Sequence, residues 1–178
     1  MTKDRPLWSV PVRLDDVPPT GRRFDLRADE AIRAAIARSA GIPEVANLAA
    51  VFEVSRHGPD SLHVVGHVAA AVRQSCVVTL EPVANSIEES VDLVFERGMP
   101  RADPAPDGPE DAAGEGPESL VDGTLDLGAV AVEFLMLGID PYPRKPGAVF
   151  RAPISEDGGA GPFAGLVALK KKSGSTTG

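Results

Sequence analysis

The sequence predicts an α+β fold: an antiparallel β-meander or partly closed sheet, with an N-terminal helix, a buried apolar helix near 127–137 and a short C-terminal helix. Three observations carry this. From Leu62 to Leu80 the even positions, among them Leu62, Val64, Val68, Val72, Cys76, Val78 and Leu80, follow the period of two of a strand with one buried face. Residues 29–41 carry a helical stripe between a cap and a stop. Leu127 to Leu137 is apolar almost throughout and follows a good capping residue, Asp126.

The elements follow in order. Trp8, Val10, Val12 and Leu14 alternate as a short strand, and Pro11 marks it as an edge. PPTGRR, 18–23, reads as a turn. Asp29 caps a helix from Glu30, whose Ala31, Ile32, Ala35 and Ile36 share a face, and Gly41 with Pro43 stops it. NLAAVFEVSRHG, 47–58, is a strand followed by a turn at His57–Asp60. The pattern over 62–80 fits one long bent strand, or two strands joined near Arg73–Ser75. The break is favoured because strands average about five or six residues. Pro82 ends the run, and Val91, Leu93 and Phe95 alternate again within 86–97. Arg101–Ser119 is Pro, Gly, Ala and acid. It lacks the apolar area to offset ordering and is expected to be disordered.

Order resumes at Leu120, with a turn at Asp122-Gly123 before the apolar helix. In that helix Val130, Phe134 and Leu137 share a face that Leu127, Ala131 and Leu135 widen, so it packs on the sheet or awaits a partner. Pro162 suits the first turn of a last helix, Phe163–Lys172. The chain is thus expected to be a single α+β domain over 1–172, interrupted by the acidic loop 101–119, with a disordered tail at 173–178.

Composition narrows the function. A net charge of −8 argues against a protein that binds nucleic acid over its whole surface. The charge is uneven: Asp103, Asp107, Glu110, Asp111, Glu115 and Glu118 face Arg101 alone in the acidic loop. Cations gather late, at Arg144, Lys145, Arg151, Lys170, Lys171 and Lys172. One cysteine builds no disulfide framework and fits a reducing compartment. With no apolar leader at the start and no run long enough to span a bilayer, a cytoplasmic protein without a membrane partner is expected.

Catalytic chemistry is hard to assemble. Gly158-Gly159-Ala160-Gly161 lacks the Lys and Ser/Thr of a phosphate loop. His63 and His67 share a strand face roughly 13 Å apart, too far to ligate one ion. Cys76 falls in the buried register and reads as a structural thiol. Glu133 either occupies the narrow solvent face of the apolar helix or pairs with a base such as Arg144. No catalytic constellation, metal site, cofactor or small-molecule substrate is expected, and the oligomeric state is open. Tyr142, Arg144 and Lys145 share the proline-stiffened stretch GIDPYPRKPGAVF, 138–150. Aromatic, guanidinium and ammonium groups together suit RNA through stacking and phosphate contacts. They suit equally a folded loop in which Arg144 ties down helix-end carbonyls.

CVVTLEPV (76–83), LVDGTLDLGAVAVEFLMLGIDPYPRKPGAVF (120–150) and PFAGLVALKKK (162–172), in this order, resemble the bacterial YceD family of large ribosomal RNA subunit accumulation proteins. The DPYPRKPG loop is the form typical of alphaproteobacterial members. The shared motif residues are Cys76, Glu81 and Pro82, then Asp126, Glu133, Asp140, Pro141, Pro143, Pro146 and Gly147. The resemblance implies a non-enzymatic role in 23S ribosomal RNA accumulation and large-subunit biogenesis, with 23S RNA or large-subunit ribosomal proteins as partners. By their chemistry the candidate contact residues are Tyr142, Arg144, Lys145, Arg151, Lys170, Lys171 and Lys172; the alternative is a module that engages basic ribosomal proteins without touching RNA. Many relatives carry C-x-x-C at the first motif and more cysteines after the apolar helix. Here Thr79 replaces the second cysteine and 140–147 has none, so the proline-rich loop is expected to replace any metal clip.

Overall fold

The computed structural model describes residues 6–98 and 118–150. The described residues up to Ala148 form one compact unit, and Val149 opens a second. The expected C-terminal helix, the tail, and 101–117 of the acidic segment lie outside the described residues.

Alternating burial builds a five-stranded sheet, β2-β3-β4-β5-β6, from β2 (Arg22–Arg27), β3 (Glu44–Arg56), β4 (Ser61–Ser75), β5 (Pro82–Glu96) and β6 (Glu118–Ser119). β2 to β5 form an antiparallel meander, and β6 joins β5 in parallel. Leu48, Ala50, Phe52 and Val54 of β3, Leu62, Val64 and Val68 of β4, and Ile87, Val91 and Phe95 of β5 bury one face. The opposite face presents Glu53, Val65, His67, Glu88 and Asp92. A polar outer row beneath an apolar inner row is what a half-buried antiparallel sheet requires.

Two helices close the inner face. Asp29 accepts the Ile32 amide at 2.8 Å to start α1 (Glu30–Ala40), and Gly41 ends it in the left-handed region at φ 66°. α1 packs on β3 through Ile36 and Ala37. α2 (Leu127–Gly138) packs on β4 and β5 and buries Leu127, Val130, Ala131 and Leu135. A two-stranded ribbon, β1 (Pro11–Arg13) with β7 (Thr124–Asp126), leads into α2 and adds Val12 and Leu125 to the same core. Among the described residues no helix is long and apolar enough to cross a membrane.

Six expectations are corrected. The sheet is open, with β2 at one edge, so it is not partly closed. PPTGRR is not all turn, because Arg22 and Arg23 open β2. The alternation over 62–80 is neither one strand nor two: β4 ends at Ser75, and Leu80 stands in the left-handed region at φ 60° in a reversal that returns the chain into β5. Pro82 therefore opens β5 rather than ending a strand, as suits a residue without an amide donor. Glu118 and Ser119, expected in the disordered loop, form β6 because the Phe95–Glu96 end of β5 offers them unpaired backbone groups. Leu137, expected on the packed face of the apolar helix, is 71% exposed.

Candidate functional site

The hairpin loop Cys76–Glu81 and the loop leaving α2, 139–148, meet at one end of the sheet. Each is closed locally. The Cys76 carbonyl accepts the Leu80 amide and the Glu81 carbonyl accepts the Cys76 amide, at 2.9 and 2.8 Å. On the other side Asp140 Oδ1 accepts the Tyr142 amide at 2.8 Å, a turn that an Asp-Pro start favours. Gly147 at φ 76° lets the Ala148 amide return to the Lys145 carbonyl.

The loops are then joined. The Val77 amide donates to the Pro143 carbonyl at 2.9 Å. Cys76 Sγ, fully buried, accepts the amides of Val78 and Thr79 from its own loop and of Lys145 from the other, each at 3.4 Å. Lys145 Nζ reaches Glu81 Oε1 at 3.1 Å. Beneath them, buried Gln74 donates to the Asp140 carbonyl and accepts from Asn85, both at 2.7 Å. Among the described residues no three His, Cys, Asp or Glu side chains converge on a point.

The electrostatics follow from these donors. The Lys145 amide first, then the Thr79 hydroxyl and the Thr79 and Val78 amides, lower the Cys76 thiol to about 6 against the opposing effect of burial. The Lys145 ammonium, with the Thr79 hydroxyl, holds the Glu81 carboxyl below its ordinary value. A depressed folded value means that the thiolate's contribution to stability is complete above the ordinary thiol value of 9.0 and is lost as pH falls to about 6. The urea midpoint of the native chain should therefore pull ahead of that of Cys76→Ala as pH rises from 6 to 9. A constant difference over that range would contradict the sulfur-centred tie.

The sequence candidates separate in space. Tyr142 is 73% exposed and Arg144 is exposed two residues on, flanking buried Pro143. Among the described residues the Arg144 guanidinium makes no ion pair. Lys145 is engaged by Glu81 and through its amide by Cys76. Arg151, Lys170, Lys171 and Lys172 lie outside the described residues. Pro141 joins Ile42, Val77 and Ile139 in lining a shallow groove of about 280 Å³, while Pro146 is exposed. Glu133 stands on the exposed flank of α2, the first of its two readings. Asp126 caps α2 through the Gly128 and Ala129 amides. Sequence reasoning missed Leu80, which it placed in a buried row. The side chain is 79% exposed, and the left-handed backbone that turns it out leaves no mark on hydrophobic periodicity.

Fold and junction together define a two-layer α+β protein that presents a latched loop at one end of an open sheet. Residues 64–170 match the family model described as "Large ribosomal RNA subunit accumulation protein YceD", and the chain belongs to the YceD family. Comparison with curated proteins and with solved structures finds no match.

Proposed function

We propose that this chain is a non-enzymatic factor for 23S ribosomal RNA accumulation and large-subunit biogenesis, and that it touches RNA directly through Tyr142 and Arg144. The family supports the pathway. The observation that carries the contact is the division of the DPYPRKPG loop: Lys145 and Pro143 are engaged by the fold, while Tyr142 and Arg144 project from it. A loop held by the Asp140 turn, the Val77–Pro143 bond and the Cys76 sulfur loses little further freedom on binding. An exposed ring stacks on an unpaired base and a guanidinium holds a phosphate by two parallel bonds. The net charge of −8 disfavours RNA binding spread over the whole surface and suits a local contact.

Depletion should lower 23S relative to 16S RNA and shrink the 50S peak in a sucrose gradient; a normal 50S peak would overturn the role. In a titration with a 23S fragment, affinity should fall as salt rises. Tyr142→Ala should weaken binding by about 1–3 kcal/mol, the range for loss of one base–aromatic stack. Unchanged affinity in the Tyr142→Ala, Arg144→Ala chain would exclude this surface.

A further inference from the structure

Among the described residues β5 is hydrogen-bonded on one side only for most of its length. It pairs with β4 at every position from Pro82 to Glu96, without a register shift. On its other side β6 covers only Phe95 and Glu96. Among the described residues, then, 82–94 form a long straight edge. Every second residue of such an edge turns both its amide and its carbonyl outward, which makes it a template for a further strand.

The protection of this edge is acidic charge alone, with Glu89 on the inner row and Glu88, Asp92 and Glu96 on the outer one. β5 has no bulge and no lysine, and its one proline is at the first position. The other edge, β2, differs in carrying Arg22, Arg23 and Arg27, with Arg23 paired to Asp25.

The chemistry around the free edge specifies what would fit. β5 contains Glu88, Glu89, Asp92 and Glu96 and no Lys or Arg. The outer row reads Ser86, Glu88, Ser90, Asp92, Val94 and Glu96, exposed except for half-buried Val94. On the inner side α2 runs along β5: a side chain at Gly138 would meet Ile87 and Glu89, while Ala129 and Glu133 line a cavity of about 390 Å³ with Phe95 and Ser119. The exposed stripe Ala129, Glu133, Leu137 thus overlooks the line that β6 begins. A strand continuing that line would set one row of side chains beside Glu88 and Asp92, and the other against Leu137 and Glu133. Cations suit the first row and apolar groups suit the second. A second copy of β5 would bring acid against acid, and RNA would meet the same acids.

We infer that the free edge of β5 binds an extended basic segment of a partner protein as an added strand, with cationic and apolar residues alternating along it. The surface is separate from the Tyr142–Arg144 contact and stands or falls independently of it. Hydrogen exchange on the full chain tests it with a peptide of about ten residues alternating Lys and Val, and a matched peptide alternating Glu and Val as control. Alternate β5 amides within 83–94 should exchange quickly in the free protein and slow by roughly tenfold or more with the Lys peptide alone. In the Glu88→Lys, Asp92→Lys chain the preference should pass to the Glu peptide. Slow exchange of these amides in the free protein would overturn the inference. Equal protection by both peptides, protection by an RNA oligonucleotide instead, or protection that tracks dimerisation would each overturn it too.

Discussion

Gly66→Ala should destabilise the protein by about 3 kcal/mol, read as a lower urea midpoint at unchanged slope. Gly66 lies on the inner face of β4, opposite Phe52, which is fully buried. A Cβ at this position would collide with the Val51 carbonyl oxygen and stand 2.9 Å from Phe52 Cδ1. In open space alanine would help, because glycine loses the most conformational freedom on folding. The sign of the effect therefore reports whether the neighbouring strand occupies that volume. Phe52→Leu should not rescue the variant, since the main obstacle is backbone. A loss below about 1 kcal/mol would show that the strands move apart more easily than their packing implies.

Asp126→Ala should cost about 3 kcal/mol, a sum that one helix cap does not reach. Its Oδ1 accepts the Gly128 and Ala129 amides at 3.0 and 3.2 Å and also the Val10 amide at 2.7 Å. Its Oδ2 accepts the Ser9 hydroxyl at 2.6 Å. One carboxylate thus starts α2 and fastens the N-terminal segment across the β1–β7 ribbon. The cap contributes about 1 kcal/mol and the part-buried bond from the Val10 amide about 1.5–3 kcal/mol, while the exposed Ser9 bond adds little. Asp126→Asn keeps an acceptor for the helix amides and should lose about 1 kcal/mol. Equal losses for the two variants, by thermal melting, would mean that the cap is not what Asp126 supplies.

Asp126 also shows what was legible in the sequence. A capping residue before an apolar run implies a helix whatever the tertiary contacts, and Asp29 before Glu30 speaks the same local language. The period of two located β4, but it could not locate its end. Val78 and Leu80 continue the alternation while the backbone reverses beneath them, held by Cys76 and the left-handed turn at Leu80. β2 was hidden because its outward residues are Arg23, Asp25 and Arg27, which read as turn and solvent rather than strand. The direction of Lys145 was beyond reach in principle. An ammonium beside a proline suits phosphate and carboxylate alike, and only the docking of two loops distant in sequence brings Glu81 to it. Once that tie is seen, the basic loop resolves into an anchored part and a presented part.

The most direct test of that division is the 23S-to-16S RNA ratio in cells depleted of the native protein and supplied with the Tyr142→Ala, Arg144→Ala chain. Both side chains are exposed, so the variant should accumulate and melt as the native protein does. It should nevertheless fail to restore the ratio, while the native chain restores it. Full restoration by the variant would contradict the assignment of RNA contact to the presented half of the loop.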